Sequence, residues 1–357
     1  MGAAAVSASL LFALVAGVTG GCDPAAILRR FFVVRGLLMG IACQFILLPL
    51  LALLALLLFP QPASTAVTLL IVATSPGGGF SGWWCSLVNA DVALSVAMTT
   101  ASTLLTAVAL PLNIALYVGL VFGRDVELDW VQLMLNILLV VLAVVLGFLC
   151  ARRFPRQRPR FSRIGQAAGA ALIILGCFTN GSSDAPIWTN SPLWFAAIAT
   201  PCAVGLIFSM LGARLLRLTN PEAVAVAIEC SYQNTGFALT IALSVFPPEK
   251  VGAASGVPLF YGVCEVVLIP IFALCAWKAG WTYAPPTEPL CTMLLNDYQP
   301  TEASAITALA EQGPTDTRTV HVQIQSTTSL TDFNGQLGAD RDAGSTNGSA
   351  KWKLPLC

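Results

Sequence analysis

Long apolar runs dominate the first 281 residues of the chain and constrain its fold more than any other feature. Nine such runs are present, and most of them reach the roughly 20 residues that a helix needs to cross a bilayer. They cover residues 3–18, 34–59, 64–89, 92–122, 130–150, 164–181, 193–216, 221–246 and 252–281. Only 10% of the residues are charged, against about 25% in soluble domains, and the mean hydropathy is +0.78. The sequence therefore predicts an all-α polytopic membrane protein with about nine transmembrane helices.

Basic residues are distributed unevenly between the connecting loops, and this predicts the orientation of the chain. The loops of one side contain only Arg124 and Lys250. Those of the other side contain twelve basic residues: Arg29, Arg30, Arg35, Arg152, Arg153, Arg156, Arg158, Arg160, Arg163, Arg214, Arg217 and Lys278. Because Lys and Arg concentrate in cytoplasmic loops, we expect the N-terminus outside and the C-terminus in the cytosol. We further expect the membrane to be the plasma membrane.

The composition also excludes several classes of function. Lys plus Arg equals Asp plus Glu, so net charge favours no nucleic-acid partner. The only histidine, His321, lies in a polar segment, and the eleven cysteines are scattered without a CxxC pair. No nucleophile–base pair is evident, so we expect neither an enzyme nor a cofactor. Residues 282–357 are polar and rich in Ser, Thr, Asp and Gly, which predicts a disordered cytosolic tail after a transmembrane domain at 1–281.

Glu229 is the most unusual residue within the apolar runs. It stands in the middle of the eighth run and is followed by Cys230-Ser231-Tyr232-Gln233-Asn234-Thr235-Gly236. A charge at bilayer depth costs about 2.5–3.5 kcal/mol, so such a residue usually has a function. The polar stretch is typical of a helix that breaks to expose backbone carbonyls to an ion. A polar contact between two helices is the alternative.

A second interruption lies in the third run. Ser75-Pro76-Gly77-Gly78-Gly79 occupies its centre, and a proline followed by three glycines should divide the helix into two halves. By counting spans, the third and eighth helices run in opposite directions across the membrane. Interruptions at corresponding places in two halves of a membrane protein indicate a transporter's binding site near the midplane.

Several oxygen-bearing side chains of the apolar runs could reach the two breaks. They belong to the second, third, fourth and eighth runs and are Gln44, Ser81, Ser95, Thr99, Glu229 and Gln233. Ser95 and Thr99 are spaced i, i+4 and so share one helix face. A set made only of oxygen ligands suits a group-I cation rather than a transition metal. Taken singly, each residue is also explained as a polar contact between helices.

These residues and their spacing resemble the sodium/bile acid cotransporter family over about residues 10–278. The resemblance rests on Cys43-Gln44-Phe45 with Pro49, on Ser75-Pro76-Gly77-Gly78, on the segment from Asp91 to Thr103 that contains Leu94-Ser95-Val96, Met98-Thr99-Thr100 and Ser102-Thr103, and on Glu229 with Gln233-Asn234. It implies inverted repeats whose broken third and eighth helices cross, arranged in a panel domain and a core domain.

The resemblance further implies two sodium sites at the crossing, with sodium as the coupling ion. The first would be formed by the side chains of Ser81, Ser95, Thr99 and Glu229. The second would be formed by Gln44, Glu229 and Gln233 with the carbonyls of Cys230 and Tyr232. The substrate cavity would be faced by Asn234 and by the backbone near Gly79 and Phe80, where helix N-termini attract an anionic group.

Two positions depart from the family pattern. Relatives usually have Asn directly after the serine that corresponds to Ser81, whereas this chain has Gly82, which removes an amide oxygen from the first site. Glu265 stands in the ninth run where relatives usually have an uncharged residue, often glutamine. Glu265 could pair with a polar neighbour, bind a proton, or line a water-filled substrate cavity, which is the role we expect.

The resemblance implies a secondary active transporter that moves an amphipathic organic anion of the bile acid or steroid-sulfate type with sodium, by alternating access. The partners would be sodium ions, the organic anion and the lipid bilayer. Two alternatives stay open because of Gly82 and Glu265. One is a protein that binds a ligand or signals without transport, and the other is a carrier coupled to protons.

Overall fold

The structure, a computed structural model, describes residues 2–22, 34–122, 129–183 and 186–300. Within these residues every regular element is helical, and extended backbone pairs only in an isolated antiparallel bridge between Gly77 and Gln233. The chain divides into two units, Met1–Thr287 and Glu288–Cys357. The second unit is described as far as residue 300. Of the segment predicted to be a disordered tail, residues 282–300 are described and include a short helix. Disorder of residues 301–357 stays a prediction, since they lie outside the described residues.

Helices occupy all nine predicted runs. In chain order they are α1 (Gly2–Gly21), α2 (Val34–Ala42), α3 (Leu48–Leu58), α4 (Ala63–Thr74), α5 (Ser81–Leu87), α6 (Val92–Phe122), α7 (Trp130–Arg153), α8 (Arg158–Gly181), α9 (Pro192–Leu215), α10 (Asn220–Ser231), α11 (Thr235–Val245) and α12 (Pro248–Lys278). The second unit adds the short helix α13 (Leu290–Leu295). The prediction of an all-helical, multi-pass membrane protein is confirmed.

The length of the helices separates the continuous spans from the interrupted ones. In the described part of the chain, six helical segments are long and apolar enough to cross a membrane, and α6 makes a seventh span with a bend of 64°. Pro111 lies inside α6 and has no N–H to donate to the carbonyl four residues earlier. That carbonyl is at the bend. The two remaining runs, at 63–87 and 220–245, each contain two short helices and are the predicted broken helices.

A π-helical turn, Cys43–Leu47, joins α2 to α3. Pro49 follows it and has no N–H to donate to the carbonyl of Phe45, and the Nδ2 of Asn113 donates to that carbonyl instead at 3.1 Å. Such turns widen a helix locally and are frequent at functional sites. Here the turn contains Gln44, which is 2% exposed.

The helices of the first unit form two groups. The panel group is α1, α7 and α8, in which α1 packs against both of the others. At its glycines the backbones approach closely: a Cβ on Gly17 would lie 2.5 Å from the nitrogen of Gly165, and one on Gly147 would lie 2.7 Å from the carbonyl oxygen of Ala16. Small residues permit such close approach in membranes. The core group is α2–α6 and α9–α12, and the panel group packs against it through α6, α11 and α12. A division into separate panel and core domains stays a prediction.

Candidate functional site: the crossing of the two broken helices

The two breaks lie against each other and are joined by backbone hydrogen bonds. The N–H of Gly78 donates to the carbonyl of Tyr232, and the N–H of Asn234 donates to the carbonyl of Pro76, both at 2.9 Å. The pairing is antiparallel, as expected for segments that run in opposite directions. Backbone groups that the breaks leave without helical partners therefore satisfy one another.

The glycines of the first break are required by the close approach of the second. A Cβ on Gly77 would lie 2.2 Å from Oε1 of Glu229, and one on Gly78 would lie 2.4 Å from the ring of Tyr232. Any side chain at these two positions would displace the carboxylate or the ring. The run of glycines thus serves the crossing as well as the break.

The carboxylate of Glu229 lies at the crossing and is 1% exposed. It accepts a hydrogen bond from Oγ of Ser95 at 2.8 Å on Oε2 and another from Oγ1 of Thr99 on Oε1. The Oγ of Ser81 lies 3.3 Å from Oγ1 of Thr99 and donates to the carbonyl of Gly78 at 2.8 Å. No basic side chain forms an ion pair with this carboxylate within the described residues. The four residues predicted for the first sodium site are therefore assembled, and their negative charge has no protein counter-charge there.

The residues predicted for the second sodium site form a chain of amide contacts. The Nε2 of Gln44 donates to Oε1 of Gln233 and to the carbonyl of Ser75, both at 2.6 Å. The Nε2 of Gln233 in turn donates to the carbonyl of Cys230. The carbonyl of Tyr232 accepts from Gly78, so both predicted carbonyls already have one donor. Each carbonyl has a second lone pair, and each amide has an oxygen, with which to bind a cation.

Glu265 lies behind the second break. It is 2% exposed, and its Oε1 accepts the backbone N–H of Gln233 at 2.6 Å. One helical turn earlier on α12, the hydroxyl of Tyr261 donates to the carbonyl of Ser231 at 3.3 Å. The two side chains hold the interrupted backbone against α12. Three roles were considered for Glu265. Its contact with the backbone of Gln233 corresponds to the first of them, pairing with a polar neighbour.

A cavity of about 70 Å³, which has room for a few water molecules, opens beside the first cluster. It lies between the panel and core groups and is lined by Val18, Thr19, Cys22, Gly79, Ser81, Gly82, Val96, Thr99, Thr100, Thr103, Val144 and Phe148. A Cβ on Gly82 would meet only Val96 at 3.7 Å and Oγ of Ser95 at 3.9 Å, so the position has free space around it.

Of the four residues predicted to contact substrate, Gly79 alone lines this cavity. Asn234 is 9% exposed, and its Oδ1 accepts the N–H of Phe237 at 3.0 Å, which caps the start of α11. Phe80 immediately precedes α5, and Glu265 lies behind the second break. The contacts of these three with substrate stay predictions.

Sequence reasoning missed three residues that hold the crossing together. Ser102 accepts the N–H of Gly77 on its Oγ at 3.2 Å, Ser75 donates to Oε1 of Gln233 at 3.3 Å, and Tyr261 contacts the second break as described. Ser75 and Ser102 belong to the motifs that carried the family resemblance, so a signal for them was present. Tyr261 gave none beyond its spacing of four residues from Glu265.

Comparison with known proteins identifies proteins that are similar to this chain in sequence. The model of the Sodium Bile acid symporter family matches residues 10–185. The ileal sodium/bile acid cotransporter of Homo sapiens is 30% identical over 239 residues, which are 66% of this chain and 68% of that one. The sodium-dependent organic anion transporter of Rattus norvegicus is 26% identical over 277 residues, 76% and 74% of the two chains. The hepatic sodium/bile acid cotransporter of Homo sapiens is 26% identical over 251 residues, 67% and 70%.

Proposed function

The chain belongs to the sodium bile acid symporter family, and we propose that it is a secondary active transporter that moves an amphipathic organic anion together with sodium ions. The substrate would be of the bile acid or steroid-sulfate type, and the protein would work in the plasma membrane. The curated relatives are sodium/bile acid cotransporters and sodium-dependent organic anion transporters by name, which supports this substrate class.

The observation that carries the proposal is the environment of Glu229. Its carboxylate is buried at the crossing of two interrupted helices and is surrounded by hydroxyl groups rather than by a basic side chain. A buried charge without a partner is costly, and a bound cation offsets that cost. Hydroxyl, carboxylate and carbonyl oxygens are the ligands that hard cations prefer. We infer that Ser81, Ser95, Thr99 and Glu229 bind one sodium ion.

The amide chain at Gln44 and Gln233 supports a second ion. Its two amide oxygens and the carbonyls of Cys230 and Tyr232 would surround the ion, with Glu229 shared between both sites. In this structure Gln44 donates to the amide oxygen of Gln233, and Gln233 donates to the carbonyl of Cys230. Binding would therefore require them to turn their oxygens towards the ion, so the ion would favour one arrangement of the breaks over another. Such a preference is what couples an ion to a conformational change.

We place the anion between the panel and core groups, where the cavity of about 70 Å³ would have to widen, because it has room for only a few water molecules in this structure. Gly79, Ser81 and Thr99 line it, so an occupant would be next to the first sodium site. Movement of the panel group (α1, α7, α8) against the core group would open this space to each side in turn. The starts of α5 and α11 lie next to the breaks, and their N–H groups would favour a negative group.

Energetics make the number of ions important. One sodium ion that descends a tenfold gradient releases about 1.4 kcal/mol, and a potential of about 70 mV adds roughly 1.6 kcal/mol per charge. Two ions would supply about 6 kcal/mol, less about 1.6 kcal/mol for importing a monoanion, whereas a single ion would leave only about 1.4 kcal/mol. Whether the first site binds a sodium ion would therefore decide whether the substrate can be strongly concentrated.

Uptake in cells or proteoliposomes tests the proposal. A panel of labelled bile acids and sulfated steroids is offered in sodium medium and in choline medium, to the natural chain and to Glu229→Gln. We expect uptake that needs sodium, and its loss in Glu229→Gln at unchanged surface abundance. Glu249→Gln is the matched control, because Glu249 is an exposed residue in the first turn of α12. Normal uptake by Glu229→Gln contradicts the assignment.

Glu265 favours a second candidate, a carrier coupled to protons. It is a further buried carboxylate at the crossing, and no basic side chain pairs with it in the described part of the chain. Uptake in choline medium that is driven by an inward pH step would support this candidate over sodium coupling. Stabilisation of the purified protein by a ligand, without any uptake of it, would instead support a protein that binds without transport.

A further inference from the structure

A groove of about 380 Å³ lies on the surface where the start of α2 meets the end of α9. Its lining is Arg35 and Leu38 on the α2 side and Leu215, Leu216 and Arg217 on the α9 side. One turn deeper the two helices are in direct contact. A Cβ on Gly212 would lie 2.2 Å from Cε of Met39, so the glycine lets this methionine pack against α9. The groove is thus bounded by a close helix contact at its inner end.

The groove combines apolar surface with two positive charges. Leu38, Leu215 and Leu216 are 58%, 82% and 50% exposed. Arg35 and Arg217 are exposed as well, and neither guanidinium has a hydrogen bond or an ion pair within the described part of the chain. Neighbouring Arg214 differs, because it lies 4.0 Å over the ring of Trp281 and donates to Oδ1 of Asn220 at 3.1 Å. The two groove arginines are therefore available to an anion.

The backbone of Arg217 gives an independent indication. Its φ is +59°, in the left-handed region, and the hydrogen bonds from Arg217 to the carbonyl of Arg214 and from Leu218 to that of Ala213 end α9 in a Schellman motif. Glycine is the usual residue at this position because a Cβ is strained there. Strain that persists where glycine would relieve it points to a use for the side chain. The guanidinium is the group that glycine would lack.

We propose that this groove binds one anionic phospholipid, with its phosphate between Arg35 and Arg217 and an acyl chain along Leu38, Leu215 and Leu216. Both helices belong to apolar spans, so the groove opens where the hydrocarbon region meets the headgroups. A free anion would use the two arginines and leave the three leucines uncovered, whereas a phospholipid matches both. Arginines concentrate at this end of the spans, which predicts the cytosolic leaflet, where anionic lipids are enriched.

Native mass spectrometry of the full chain in detergent tests the proposal. The protein is titrated with phosphatidylserine and, separately, with phosphatidylcholine of the same acyl chains. We expect one phosphatidylserine to bind more tightly than any phosphatidylcholine. Because one arginine near a membrane contributes about fivefold to the binding constant for anionic lipid, Arg35→Gln and Arg217→Gln should each weaken phosphatidylserine binding about fivefold. Arg217→Lys should retain most of it.

Two further variants separate a specific groove from general charge and from folding effects. Arg160→Gln removes an exposed arginine from the same end of the molecule but outside the groove, and it should leave the affinity unchanged. Arg217→Gly relieves the strained backbone, so the melting temperature in phosphatidylcholine nanodiscs should stay the same or rise. The additional rise that phosphatidylserine gives to the natural chain should be lost in that variant.

Three results would overturn the proposal. The first is equal affinity of the natural chain for both lipids, and the second is a loss in Arg160→Gln as large as in the groove variants. The third is displacement of phosphatidylserine by millimolar inorganic phosphate, since that would identify a site for a free anion instead of a lipid. None of these measurements requires transport, so they are independent of the proposed function.

Discussion

The Nε2 of Gln44 lies 2.6 Å from Oε1 of Gln233, although 189 residues separate them in the chain. The same nitrogen donates to the carbonyl of Ser75 at 2.6 Å, so one side chain in the π-helical turn contacts both broken helices. Gln44 therefore links three separate segments of the core group at the point where they meet. Buried polar networks of this kind contribute most when every member is satisfied.

Replacing Gln44 by leucine tests this link. Gln44→Leu removes the donor to the Ser75 carbonyl and to Gln233, and a buried acceptor that loses its donor costs about 1–3 kcal/mol. We expect a lower melting temperature and a sodium concentration for half-maximal uptake that is several-fold higher. A sodium titration of uptake measures the second effect. Gln166→Leu, at a half-buried glutamine of α8 outside the crossing, should change neither value.

The glycines of the first break can be tested with a control from the same protein. Gly77→Ala would place a Cβ 2.2 Å from the Glu229 carboxylate, so we expect loss of sodium-dependent uptake together with destabilisation. Gly119→Ala adds the same methyl group inside α6, where nothing lies within 4 Å. It should stabilise the helix by up to about 1 kcal/mol and leave uptake intact. Equal behaviour of the two variants would argue against a close crossing.

Gly82 is the position at which the first site departs from the family pattern. Its surroundings leave room for a side chain, so Gly82→Asn should fold and supply an amide oxygen beside Ser95. We expect a steeper dependence of uptake on sodium concentration and half-saturation at a lower concentration. Gly82→Ala adds the Cβ without an amide oxygen and is the matched control. An unchanged sodium curve for Gly82→Asn would mean that other groups already complete the site.

Glu265 can be replaced in a way that separates hydrogen bonding from charge. Glu265→Gln keeps an oxygen that accepts the N–H of Gln233, so this variant should fold normally and retain sodium-dependent uptake. Glu265→Leu leaves that N–H buried without an acceptor, and we expect a loss of about 1–3 kcal/mol in the free energy of unfolding. Thermal unfolding of both purified variants measures the difference. Loss of uptake in Glu265→Gln alone, at normal stability, would instead indicate a role for the charge.

Much of the fold could be predicted from the sequence because membrane helices are specified locally. A bilayer offers backbone groups no water, so an apolar run of sufficient length forms a helix whatever surrounds it. All nine predicted runs are helical for this reason. Asp91 is a further local feature: it directly precedes α6, and its Oδ1 accepts the N–H of Leu94 at 2.8 Å, which caps the start of that helix. The orientation of the termini stays a prediction.

The two breaks show where local information ends. The first was determined by the sequence alone, because Pro76 lacks an N–H and forces Ser75 into an extended conformation, so α4 ends at Thr74. The second break, at residues 232–234, contains neither proline nor glycine. The polar stretch after Glu229 indicated a break in this run, but only the tertiary structure decided its form, because Gly78, Pro76 and Glu265 supply from distant segments the hydrogen bonds that a continuous helix would have made. The sequence marked Glu229 as a charge that needs a partner, and the crossing brought Ser81, Ser95 and Thr99 together around it.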